Sequence, residues 1–248
     1  MIKKIILLLG IILFFSISTF AKIHKTVMII DLIEYHMFTD GKRNIKQKYL
    51  LNFHSVFMKS LYTVCNELHV KIPSRVRVNI TGYAWIFTSL TGFDASIAGL
   101  FDRKFEQFYF QNPKSLLHKG IAATIIKHEM LHFIIYNNRN HKFKRNIDIL
   151  WLEESFCESI YPSQRSYGVH VHTALKKINS PMNLKNYLNK DLKSPKIILR
   201  KKAYAIAQQW GIFLQKKLGR KIFFLIITNK IHERKTYKYF KEFKRKYN

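Results

Sequence analysis

Residues 121–136 form an almost unbroken apolar run, and His128-Glu129-Met130-Leu131-His132 stands in the middle of it. A helix that carries Ile125, Ile126, Leu131, Phe133 and Ile134 around this triplet must bury most of its surface. Two imidazoles and a carboxylate would then enter a core, where polar groups are costly unless something satisfies them. Residues four apart on a helix lie one turn above each other, so both imidazoles point the same way and reach one Zn²⁺ ion at roughly 2.0 to 2.1 Å. Glu129 sits about 100° further round the helix, near enough to reach a water on that ion without ligating it. Taken alone, the five-residue pattern has a plainer reading: two core histidines and a solvated glutamate.

A second segment bears on that choice. The chain has 43 Lys and Arg against 15 Asp and Glu, yet Glu129, Asp148, Glu153, Glu154 and Glu158 crowd into one short window. Trp151-Leu152-Glu153-Glu154-Ser155-Phe156-Cys157-Glu158 reads as another helix. Crossing the first, it would deliver Glu154 as a third ligand and complete a His₂Glu set with the open fourth position of a hydrolase. One turn further on, Glu158 would hold the outer N–H of a ligating imidazole.

The pairing of HEMLH with WLEESFCE resembles the gluzincin metallopeptidases, in which H-E-x-x-H is followed by a helix of the W-L/F-x-E-G-x-A-E type. The stretch from Arg75 to Gly219 is similar to bacterial exported proteins of the peptidase MA-like group. The similarity takes in Thr91-Gly92, Ala98-Gly99-Leu100, Gln111-Asn112-Pro113, Ala203-Tyr204-Ala205, Leu214 and Leu218-Gly219. The resemblance implies a thermolysin-like zincin fold, zinc on His128, His132 and Glu154, and hydrolysis of peptide bonds by a zinc-activated water with Glu129 as general base. Ser155 and Cys157 depart from it, standing where the family usually has Gly and Ala; both are small, so the helix crossing is expected to survive.

The ends of the chain suggest where it works. Lys3 and Lys4, an apolar run from Ile5 to Phe15 and a small polar stretch ending at Ala21 read as a signal peptide cleaved after Ala21. The apolar run falls short of the roughly 20 residues that span a bilayer, although an uncleaved anchor reaching Phe20 is the alternative. No later segment is long enough to span, so a secreted or periplasmic product without a stable membrane span is expected. The formal charge is +28, or +26 without the two leader lysines. Such a field attracts polyanions, and an exported protein meets anionic envelope polymer or acidic proteins before nucleic acid, for which no motif is present. A lysine-rich solvated surface accounts for the same charge. Cys65 and Cys157 form no metal or redox motif and are read as buried free thiols rather than as a bridge.

Strand-like and helical patterns mix before residue 138, and helical ones dominate after it. The expected class is therefore α+β: one domain over residues 22–248, with a cleft between an α/β half (22–138) and a helical half (139–248). Strands are expected at Thr26 to Ile33, Arg75 to Ile80, Gly99 to Phe101 and Phe105 to Phe110, the last as the edge strand beside the cleft, where an extended peptide would add. Helices are expected at Asn44 to Leu68, Tyr83 to Ser89, Gly120 to Asn137, Ile149 to Ile160, Lys201 to Leu218 and Lys221 to Ile231, with an amphipathic one over Lys235 to Lys246. The regions of Pro162, Pro181 and Pro195 read as connections.

Zinc hydrolases usually supplement the metal with a His, Tyr or Arg that donates to the developing oxyanion. Tyr204 is the candidate here, because Tyr204, Gln208 and Gly211 share a flank beside the core stripe of their helix; an ordinary half-buried tyrosine is the alternative. His141, His170 and His172 read as surface residues. Three functions follow: a zinc peptidase acting on a peptide or protein substrate, a non-catalytic zincin-fold protein that docks on anionic envelope polymer, or a zinc-stabilised structural protein. A pure binder has no need of Glu129.

Overall fold

The computed structural model describes residues 23–42, 44–94, 96–139, 149–163 and 171–247. The signal-peptide reading, His141 and His170 lie outside them. The described chain is α+β, built on a five-stranded mixed sheet.

Strand β1 (His24–Ile30) turns at Asp31, whose φ of 52° admits the tight reversal, and pairs antiparallel with β2 (Ile33–Thr39). The single strand expected over Thr26 to Ile33 is thus a hairpin. Strand β2 alternates apolar and polar residues yet is buried on both faces: Glu34 and His36 bond each other on one face while Tyr35 and Met37 join the core on the other. Helix α1 (Gln47–Leu68) then crosses over to β3 (Val76–Thr81), parallel to β2, and lays Phe53, Phe57, Leu61 and Val64 on the sheet. Its aromatic face meets Phe108 and Phe110 edge-on at 5.3 to 5.5 Å.

After α2 (Ala84–Thr91) come β4 (Gly99–Asp102) and β5 (Gln107–Phe110), joined by a turn in which Glu106 has φ 53°. The spatial order is β1-β2-β3-β5-β4. This corrects the expected edge: β5 is interior, pairing with both β3 and β4, and β4 is the terminal strand. Sequence adjacency places the two strands side by side, but only the parallel pairing of β5 with β3 decides which one lies outside.

Helix α3 (Pro113–His118) leads to α4 (Ala122–Asn138), which packs on α1 and beside β4. Helix α5 (Leu150–Ile160) crosses α4. Short α6 (Val171–Leu175) is followed by α7 (Pro181–Asp191), a helix where a connection was expected. Pro181 opens it: the Ser180 hydroxyl accepts from Asn183 N–H, and a proline at the first helical position forfeits no intrahelical bond. Helix α8 (Ile197–Leu218) packs along α5, and α9 (Arg220–Ile227) follows. The basic tail forms a 3₁₀ turn (Glu233–Tyr239) and α10 (Phe240–Tyr247), whose Phe240 and Phe243 are buried, Phe243 against Trp210 and Phe213. One buried apolar cluster takes residues from the sheet and from the later helices alike. Cys65 and Cys157 are buried free thiols. Among the described residues no helix is long and apolar enough to cross a membrane.

Candidate metal centre

Helix α4 presents His128 and His132 on one face, both buried, with their Nε2 atoms 3.3 Å apart. Helix α5 brings Glu154 against them: Oε1 lies 3.4 Å from His132 Nε2, and Oε2 lies 3.6 Å from His128 Nε2. The corners of a tetrahedron with bonds of about 2.05 Å are about 3.3 Å apart, close to the separation of the two Nε2 atoms and of each from its nearer carboxylate oxygen, a different oxygen facing each imidazole. Glu154 Oε2 is buried and accepts no hydrogen bond. A buried carboxylate oxygen left unsatisfied is costly, and a cation at the common focus would satisfy it. The donor set fits a divalent ion of zinc's preference for two imidazoles and a carboxylate.

The outer nitrogens settle how the imidazoles are oriented. His128 Nδ1 lies 2.9 Å from the Tyr161 carbonyl oxygen, which only accepts, so Nδ1 carries the proton and the lone pair of Nε2 faces the focus. His132 Nδ1 likewise faces the Glu153 carboxylate, at 2.6 Å from Oε1. Glu158, expected to bond an imidazole, stands 3.7 Å from His128 Nδ1; it accepts instead from the Ser163 hydroxyl and, at 3.1 Å, from Ser163 N–H. The C-terminal residue Tyr161, turned out of the helix, supplies the carbonyl in its place.

Glu153 is the residue that the sequence reading missed. It is fully buried and also accepts from Arg103 Nη2 at 2.5 Å and from Arg139. Burial alone would raise its pKa, but the two guanidinium groups and His132 hold it down at about 2. Burial also opposes ionisation of Glu154, and the imidazoles nevertheless keep it well below the usual carboxylate range. For His128 burial disfavours the cation, but Glu154, Glu158 and Glu129 outweigh it and raise the pKa. The same negative field favours a bound cation. Burial pushes the Cys157 thiol up to about 12, so although Sγ lies 3.7 Å from His132 Nδ1 it stays protonated, a poor competitor for a metal.

Glu129 is buried one residue along α4, and its Oε2 accepts from Phe101 N–H of the edge strand at 2.9 Å. Two cavities meet at this carboxylate. One, of about 310 Å³, is lined by Ala98, Ile125, His128 and Ser163; the other, of about 390 Å³, by Phe93, Phe101, His132 and Glu154. Both include Glu129 and Tyr204 in their walls. Tyr204 is buried on α8, whose Gly211 lies so close to α5 that a Cβ there would fall 1.8 Å from the Ser155 carbonyl oxygen. His172 is apart from this centre, exposed and bonded to the Tyr247 carbonyl. No protein-family model matches this sequence, and no curated protein matches it.

Proposed function

We propose that this chain is an exported zinc-dependent peptidase of zincin-like architecture. The observation that carries the reading is the convergence of His128, His132 and Glu154 donor atoms within 4.8 Å of one another, with the Glu129 carboxylate beside them in the wall of an open cleft. A structural ion would call for no such carboxylate and no such cavity. When bound, zinc would supply Lewis acidity, lowering the pKa of a water and polarising a carbonyl oxygen.

The chain's own groups perform the rest. Glu129, fixed by Phe101 N–H, takes the proton of the attacking water and passes it to the leaving amine. Tyr204, in both cavity walls, is placed to donate to the developing oxyanion. Among the described residues strand β4 pairs only with β5, and its other edge runs beside Glu129, so an extended peptide would add along that edge through backbone hydrogen bonds.

The test is zinc content measured together with hydrolysis of a mixed peptide library. Protein refolded with zinc should retain close to one equivalent and cleave; Glu129→Gln should keep the ion and lose turnover; Glu154→Ala should lose the ion. Full zinc occupancy in Glu154→Ala, or wild-type cleavage by Glu129→Gln, would overturn the assignment.

A further inference from the structure

We propose that Arg200 selects substrates that carry a carboxylate next to the scissile bond. This rests on the peptidase reading above and names the substrate class for it.

Arg200 lies one turn before Tyr204 on α8 and lines both cavities with it. Its side chain is only 8% exposed, yet the guanidinium is held in place: Nη2 donates to Asp94 Oδ2 at 2.7 Å and to Ser96 Oγ at 3.1 Å, and Nη1 to the Ser194 carbonyl at 3.1 Å. A guanidinium has five N–H donors. Nε–H and the second Nη1–H donate to no described residue. An arginine immobilised by one set of donors, with others left over in a cavity wall, is preorganised for a planar anion, because the cost of ordering it is met before binding.

Further cations stand in the same walls. Lys201 joins Arg200 in the first cavity, and Lys104 and Lys193 in the second. Among the described residues, no carboxylate oxygen lies within 4.0 Å of Lys193 or Lys201. The acidic residues of the walls are Glu129 and Glu154, which the proposed chemistry occupies, and Asp102, whose Oδ1 accepts from the backbone N–H groups of Lys104 and Phe105. The side chain of Asp94, the ion-pair partner of Arg200, is 41% exposed, so water screens part of its charge. A peptide entering the cleft therefore meets cations in the walls of both cavities. A substrate carboxylate there gains a charged hydrogen bond to Arg200, worth roughly tenfold or more over the neutral amide.

The carboxylate has two sources: an Asp or Glu side chain, or the free C-terminus of the peptide. Matched peptides separate them, with Glu or Gln beside the cleaved bond in C-terminally amidated chains, and with neutral side chains in chains whose C-terminus is free or amidated. For zinc-loaded wild type the expected result is a kcat/KM ratio of at least about tenfold in favour of one carboxylate over its amide. Arg200→Gln should collapse that ratio toward one, and Arg200→Lys should restore part of it. A ratio near one in wild type, or one that persists in Arg200→Gln while every peptide slows by the same factor, overturns the inference and leaves Arg200 as an anchor between α8 and the 94–96 segment. Calorimetric titration of the zinc-loaded Glu129→Gln protein with the same peptides reads binding without turnover. Arg200-dependent preference there, with no cleavage by wild type, supports the carboxylate site and refutes the peptidase reading. Equal binding of acid and amide refutes the site.

Discussion

Replacing Glu153 by Gln tests the least expected feature of the centre. The carboxylate orients His132 and neutralises Arg139, whose side chain is wholly buried. Among the described residues Arg139 has no other anionic partner: Nε donates to the Ile227 carbonyl at 3.2 Å, and Nη1 makes no hydrogen bond. The amide keeps the shape of the carboxylate but leaves a buried cation uncompensated, which costs about 3 to 5 kcal/mol. For a domain of this length each kcal/mol is worth about 2 to 4 °C, so Tm of the chelator-treated protein should fall by about 6 to 20 °C. Weakening the acceptor behind a ligating histidine should independently cost about 10- to 100-fold in zinc affinity, read by competition with a chromophoric chelator. The double variant Glu153→Gln/Arg139→Met separates the two effects. It removes the stranded charge and should recover most of the Tm, since apolar residues replace buried ion pairs at little cost, while zinc affinity stays low. Unchanged Tm in the single variant would refute the buried-charge argument, and unchanged zinc affinity would refute the orienting role.

Other perturbations follow from the same geometry. Gly211→Ala places a methyl 1.8 Å from the Ser155 carbonyl oxygen, a backbone atom that cannot swing aside; unfolding by denaturant should show a loss at or above the roughly 1 to 3 kcal/mol of ordinary overpacking, with weaker zinc binding because Ser155 adjoins Glu154. Tyr204→Phe should lower kcat by roughly 10²- to 10³-fold with zinc content and KM nearly unchanged, and wild-type kcat would return the phenol to a packing role. The Asp94 pKa is held down at about 2 by Ser96 and then Arg200, against partial burial. Its contribution to stability is thus complete above its ordinary value near 3.8 and is lost as pH falls toward 2. Chemical denaturation of Asp94→Asn should accordingly differ from wild type at pH 5 and converge with it near pH 2.

Helical arithmetic alone places His128 and His132 on one face, which is why the core of the site is legible in the sequence. Glu154 is legible for a different reason: carboxylates are rare in this chain, and their crowding into the short window that holds Glu129 and Glu154 points to a shared partner. Glu153 satisfies the same criterion, but Arg103 and Arg139, which reveal its role, come from the β4–β5 turn and the end of α4. The acceptor for His128 was beyond reach because a backbone carbonyl has no residue identity to read. The fold divides along similar lines. α1 announces itself by its apolar stripe and α4 by the length of its apolar run, whereas the turn at Asp31 that divides β1 from β2 has no Gly or Pro to mark it, and the choice between β4 and β5 as edge depends on a partner strand about 30 residues away. The open cleft edge thereby moves from the strand with the stronger sequence signal to the weaker one.

Helix α8 explains how residues far from the metal ligands in sequence are held against them. At about 100° per residue, Arg200, Tyr204 and Gly211 fall within a stripe roughly 40° wide. The stripe seats on α5 at Gly211, where the missing side chain lets the backbones approach, and continues into the cleft wall at Tyr204 and Arg200. Ser155 tolerates that approach because its hydroxyl turns back to bond the Trp151 carbonyl at 2.6 Å rather than projecting toward α8. Below the stripe Trp210 stacks on Trp151 at 6.4 Å, fixing the rotation of one helix relative to the other. Because Glu154 adjoins Ser155 on α5, the same contact that positions the third donor also sets the distance from it to Tyr204 and Arg200. On the peptidase proposal, a displacement of α8 would therefore disturb the donor geometry together with the oxyanion and carboxylate contacts proposed for Tyr204 and Arg200, which makes the interhelical contact at Gly211 the point where packing and the proposed chemistry are coupled.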